Sequence, residues 1–170
     1  MLSFNQALKL LKSSCQENIV KHCLIVSEKS YELAKLIKLN NLEIDAELCR
    51  IGGLLHDIGR SVSHDLNHGV IGAKMLEKYP KLSRIALTHV GGGIPKDEAI
   101  ALKLSNEDLT PKTLEEKVVC YADKLVHGDR LAADASEEIV KLEAKLGVGH
   151  ASIKRIKMIE DEINKLIKKI

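Results

Sequence analysis

The residues of this chain best suited to chemistry are His22, His56, Asp57, His68, His89 and Asp123. Imidazole and carboxylate are donors for Fe²⁺, Mn²⁺, Co²⁺, Ni²⁺ or Zn²⁺, and with no cysteine in the set the ion's identity stays open. His56 and Asp57 are adjacent, in Leu54-Leu55-His56-Asp57-Ile58-Gly59-Arg60, whereas the other four are dispersed along the chain. A shared centre therefore needs a fold that gathers distant segments around one point. The dipeptide alone carries little, because His64-Asp65 repeats it in a polar stretch. His127 and His150, at predicted helix boundaries, read as ordinary surface or core residues.

Helical periodicity indicates which candidates face inward. His22 lies one turn from Ile19 and from Val26, beside an apolar stripe. His68 opens the run His68, Ile71, Gly72, Met75, and His89 closes the run Leu82, Ile85, Ala86, His89. Asp123 falls between Val119 and Val126; a carboxylate on an apolar face is costly unless it is paired or binds a cation. Adjacent helical residues diverge by about 100°, so His56 and Asp57 can share a centre only in the crevice between their directions. Gly52 and Gly53, one turn back, are expected to leave room there for a metal and for a neighbouring helix.

The elements that must position these residues read as helices throughout. Ser3 and Gln6 form a capping box for a first helix to about residue 13. A long helix follows over about 16–38, and Asp45 caps a third that runs to His56-Asp57. Asn67 starts the next, which ends before Pro80, and another covers about 81–90. After Gly91-Gly92-Gly93, which serves as a connector or a mobile flap, a short helix is expected over about 96–103. Thr110-Pro111 reads as a cap-plus-proline start for a helix ending near Val126. Two more are expected at about 135–146 and 150–169. No segment alternates with period two over strand length, so the expectation is an all-α bundle of about seven to nine helices.

At 170 residues the chain fits one domain, and an aromatic share of 2% implies a core of Leu, Ile, Val and Ala. Net charge of +2 with 29% charged residues gives no bulk case for nucleic acid or membrane. Cys15, Cys23, Cys49 and Cys120 lack paired spacing and read as reduced thiols, consistent with a cytoplasmic setting. No window approaches a membrane span.

Over about residues 18–130 the sequence resembles the HD-domain superfamily of helical metal-dependent phosphohydrolases, on His22, His56-Asp57-Ile58-Gly59 and Tyr121-Ala122-Asp123-Lys124-Leu125. The resemblance implies that His22, His56, Asp57 and Asp123 ligate one divalent ion. His68 and His89 match members that hold two, with Asp57 bridging. Mononuclear nucleotidases of the superfamily often carry glutamate three residues after the His-Asp pair; here that residue is Arg60. The pattern is more similar to dinuclear hydrolases, including those cleaving dinucleoside polyphosphates or cyclic dinucleotides. The expected activity is hydrolysis of a phosphoester or phosphoanhydride in a nucleotide-type substrate. Ions in such a site acidify bound water toward a pKa of ~7 and neutralise phosphate oxygens.

Arg60 is expected to contact substrate phosphate, with Lys124 and Arg130 as further candidates. Two other readings share the ligand set: a mixed-valence di-iron oxygenase, and a non-catalytic HD binding module. On the last helix, Ile156, Ile159, Ile163, Leu166 and Ile170 form a seam for core packing or a homodimer. Its lysines are interrupted by Glu160, Asp161 and Glu162, which disfavours nucleic acid.

Overall fold

The computed structural model describes residues 2–168 and contains nine α-helices among them: α1 (Phe4–Ser14), α2 (Glu17–Leu39), α3 (Ala46–Leu55), α4 (His68–Met75), α5 (Pro80–Thr88), α6 (Lys96–Ala101), α7 (Leu114–Lys124), α8 (Ser136–Leu146) and α9 (Ala151–Ile167). The all-α expectation holds, with one addition. A two-residue hairpin, β1 (Val126–His127) and β2 (Arg130–Leu131), turns at Gly128, too short to produce a period-two signal. No helix among the described residues is long and apolar enough to cross a membrane.

Local chemistry accounts for most of the boundaries. Ser3 Oγ accepts from Gln6 N–H while the Gln6 side chain accepts from Ser3 N–H, the reciprocal box expected at α1. Asp45 caps α3 by accepting from Leu48 N–H at 2.9 Å. The start of α7 differs from expectation: Thr113, not Thr110, accepts from Glu116 N–H. Thr110 instead donates its hydroxyl to Asp108, and Pro111 packs so closely on Gly93 that a Cβ there would lie 2.5 Å from it. Pro111 is therefore held by the glycine loop.

The long α2 packs on α3, which also touches α1, α5 and α7, so α3 sits at the centre of the bundle. Gly52 and Gly53 permit this. A Cβ on Gly52 would meet Ile85 at 2.5 Å, and one on Gly53 would meet the Ser27 backbone at 2.9 Å. These glycines serve helix approach only; the space behind His56 is filled by protein and is not available to a metal. The core is aliphatic, led by Leu11, Ile37, Leu54, Leu55, Ile58 and Ile163.

Ile156, Ile159 and Ile163 of α9 are buried in the same core and Leu166 packs at its edge; Ile170 lies outside the described residues. That seam is therefore internal, which removes it as a surface for a homodimer. Nor is the Gly91-Gly92-Gly93 segment a flap. Ser152 donates to the Gly91 carbonyl at 2.9 Å, and Gly92 lies directly under Ile156. All three glycines have positive φ, which lets the chain turn sharply between α5 and α6.

Candidate metal centre

Five helices deliver six side chains to one place. His22 comes from the first half of α2 and Asp123 from the last turn of α7. His56 is the C-cap of α3, His89 the C-cap of α5, and His68 the first residue of α4. The helix breaks at His56–Asp57. His56 keeps helical angles, but Asp57, at φ −100° and ψ 13°, starts the 3₁₀ turn Ile58–Ser61. That break lets two consecutive side chains face one centre despite their divergence on a regular helix. The C-terminal ends of α3 and α5 also point partial negative charge toward the site, which favours a cation.

The three deeply buried imidazoles have an assignable tautomer. Nδ1 of His56 lies 2.7 Å from the Gly53 carbonyl, that of His68 2.6 Å from Asp65, and that of His89 2.8 Å from Ala86. A carbonyl oxygen only accepts, so each ring donates from Nδ1 and presents a lone pair on Nε2. Yet Nε2 of His68 and Nε2 of His89 face each other at 3.1 Å. Two opposed lone pairs repel unless a cation shares them.

Asp57 divides its carboxylate. Oδ1 lies 3.2 Å from His68 Nε2 and 3.3 Å from His89 Nε2. Oδ2 lies 3.7 Å from His56 Nε2 and 3.9 Å from His22 Nε2. Asp123 Oδ1 completes the second group, 3.1 Å from His22 Nε2 and 3.4 Å from His56 Nε2. Buried Asp57 Oδ1 and His56 Nε2 have no hydrogen-bond partner, an arrangement that costs about 1–3 kcal/mol for each atom in the absence of a ligand. Ligands bonded to one ion at ~2.1 Å stand roughly 3 Å from their neighbours. The donor spacings and the unpartnered atoms therefore fit a divalent cation.

Charge is balanced in the same sense. Burial would raise the Asp57 pKa, but His56 together with His68 and His89 holds it well below the usual carboxylate range. Burial likewise opposes ionisation of Asp123, and Lys124 beside it, with His22 and His56, outweighs that. Both groups are thus anionic near neutrality. Burial pushes His89 down to about 4, so that ring is neutral and free to ligate.

The HD domain family matches residues 19–127. The chain belongs to the HD domain family. A protein of uncharacterised function from Methanocaldococcus jannaschii is 51% identical over 98% of this chain and 100% of its own length. A tRNA (cytidine(56)-2'-O)-methyltransferase from Picrophilus torridus is 34% identical over 95% of this chain, which spans only 46% of that protein. Ribonuclease Y of Oleidesulfovibrio alaskensis is 33% identical over 67% of this chain and 19% of its own. Among solved structures, the HD domain of the Listeria monocytogenes phosphodiesterase PgpH shares the fold, with TM-score 0.55, 19% identity, and coverage of 94% of this chain and 98% of that one.

The basic candidates occupy three different settings. Arg60 is drawn to Asp57, its Nε donating to Oδ2 at 2.6 Å and its Nη1 reaching the His64 carbonyl at 3.4 Å. Lys124 is buried and donates to Asp123 Oδ2 at 2.6 Å. Arg130 stays outside the HD centre: it lies exposed on β2 and pairs with Glu137 of α8. Missing from the sequence reading are the Gly53, Asp65 and Ala86 carbonyls that orient the imidazoles. Backbone acceptors leave no trace in residue type. His64-Asp65 contributes one of them, although neither of its side chains joins the cluster.

Proposed function

We propose that this HD domain is a metal-dependent phosphohydrolase acting on a phosphoester or phosphoanhydride bond of a nucleotide-type substrate at a two-ion centre. The observation that carries the reading is the division of Asp57 between two donor groups. His22, His56, Asp123 and Asp57 Oδ2 would hold one ion, and His68, His89 and Asp57 Oδ1 the other. When bound, the ions supply an acidified water and neutralise phosphate oxygens. The chain's own part is orientation. Three backbone carbonyls fix the imidazoles, and the aliphatic core behind His56 and His89 keeps water from that side. His22, Asp123 and Arg60 keep 19%, 14% and 32% of their side-chain surface, so substrate approaches past them. There the Arg60 Nη2, which has no hydrogen bond among the described residues, is the group to meet a phosphate, while buried Lys124 holds Asp123 anionic.

Two relatives support this substrate class. PgpH is a phosphodiesterase whose HD domain has been crystallised with cyclic-di-AMP, and ribonuclease Y is named for cleaving RNA. The four free thiols favour a cytoplasmic setting. Small nucleotides are favoured over RNA, since the described surface has no row of aromatic side chains for base stacking.

The test is metal analysis followed by a screen with Mn²⁺, Fe²⁺, Co²⁺ and Ni²⁺. Substrates comprise nucleoside monophosphates, cyclic mono- and dinucleotides, dinucleoside polyphosphates and a short RNA. Ion-dependent release of a phosphate or nucleotide is expected, and Asp57→Ala should lower it at least about 100-fold. Equal activity in the stripped protein overturns the reading. So does O₂ uptake by the iron-loaded protein without hydrolysis, which moves the centre to oxidative chemistry.

A further inference from the structure

Arg60 has a place that phosphate binding does not explain. It follows Asp57 by three residues in a 3₁₀ turn, whose period stacks positions i and i+3. Its Nε sits 2.6 Å from Asp57 Oδ2, and that contact fixes the rotation of the carboxylate about Cβ–Cγ. With Oδ2 held, Oδ1 is committed to His68 and His89. The same guanidinium reaches the carbonyl of His64.

The loop carrying that carbonyl orients His68. His56 and His89 donate Nδ1–H to carbonyls of their own helices, Gly53 in α3 and Ala86 in α5. His68 opens its helix, so the carbonyl three residues earlier, Asp65, lies in the loop. The loop is tied internally by Ser63, which donates to Asn67 Oδ1 at 2.6 Å and accepts from Asp65 N–H at 3.2 Å. Arg60 ties it to Asp57. One side chain thus touches both determinants of the His68–His89 position: the carboxylate that completes it and the loop that aims its first imidazole.

We infer that Arg60 is a positioning residue on which occupancy of the His68–His89–Asp57 Oδ1 position by a second divalent ion depends. This rests on the two-ion reading above and assigns Arg60 a role in it before any substrate arrives. Partners that orient metal ligands typically change metal affinity ~10–100-fold when removed. A positive charge beside a cation site acts in the opposite direction, because like charges repel. The two effects differ in sign, and removing Arg60 separates them.

The experiment is a Mn²⁺ titration by calorimetry, with stoichiometry by elemental analysis, of the full chain and of Arg60→Gln and Arg60→Lys. Wild type is expected to take two ions. Arg60→Gln should keep the first and bind the second ~10–100-fold more weakly, despite losing a repulsive charge. Arg60→Lys should recover part of that loss, since an ammonium reaches Asp57 but does not span to the His64 carbonyl in the planar geometry of guanidinium. Circular dichroism of the stripped proteins verifies that each variant folds; if Arg60→Gln does not, the comparison of Arg60→Lys with wild type carries the test. A second ion bound as tightly or more tightly by the variants overturns the inference while leaving the two-ion centre intact. A wild type that binds one ion overturns the inference and the two-ion reading, and a wild type that binds none overturns the metal-dependent function as well.

Discussion

His56 is wholly buried and faces the carboxylates of Asp57 and Asp123. Burial lowers its pKa, but the carboxylates of Asp57 and Asp123 outweigh it and raise the pKa above the usual value. The same carboxylates that would hold a cation thus favour a proton on His56 in the ion-free protein. A raised folded-state pKa gives stability that is fully present below the ordinary value of ~6.5 and lost as pH rises through the folded value. A divalent ion displaces that proton, so its binding strengthens over the same interval. The difference in Tm between Mn²⁺-loaded and stripped protein should accordingly widen from pH 6 to pH 8. Differential scanning fluorimetry checks this, and a gap that narrows or stays constant with rising pH contradicts it.

Between elements, the tightest constraint is the crossing of the 3₁₀ turn Ile58–Ser61 over α4. A Cβ on Gly59 would lie 2.0 Å from the His68 carbonyl oxygen and 2.6 Å from Gly72 N, both backbone atoms that cannot rotate away. Gly59→Ala must therefore push α4 off the turn, at a cost of about 3 kcal/mol or more. Because His68 opens α4, the second ion should weaken together with the fold. Gly147→Ala, at φ +92° and ψ 151° with nothing within 4 Å, displaces no neighbour and should cost less, only the backbone strain of about 1–3 kcal/mol. Urea denaturation of the two variants compares them, and similar losses would refute the close-packing account.

Across the whole molecule, stability and site are partly separable. Helices α8 and α9 supply none of the six clustered side chains, yet Ile153, Ile156 and Ile163 of α9 are almost completely buried. Truncating Ile163 to Ala should lower unfolding free energy by about 2–5 kcal/mol. Ion stoichiometry should not change, since α9 touches α2 and α7 but donates nothing to the centre. Chemical denaturation paired with elemental analysis tests both halves of that statement. A lost ion would mean that α9 sets the positions of His22 and Asp123 more directly than its packing implies.

Helix identity was legible because amphipathic spacing and caps such as Ser3–Gln6 and Asp45 are local and act within one turn. The candidate cluster was legible in part because Asp123 sits on an apolar face and such a residue needs a partner. Three features were not legible, and each depends on residues brought together only by folding. Gly52 and Gly53 read as room for a metal but are filled by Ile85 and Ser27. The pairing of Arg130, a candidate phosphate contact, with Glu137 on α8 appears only in the fold. Asp57 read as a bridge by resemblance alone, and the division of its two oxygens emerges only once α3, α4 and α5 meet. The sequence by itself determined which segments are helical and which side chains could bind a cation, since periodicity and side-chain chemistry are properties of the chain. Only the tertiary structure decided their distances, tautomers and pairings, because those are set by carbonyls and neighbours far away along the chain.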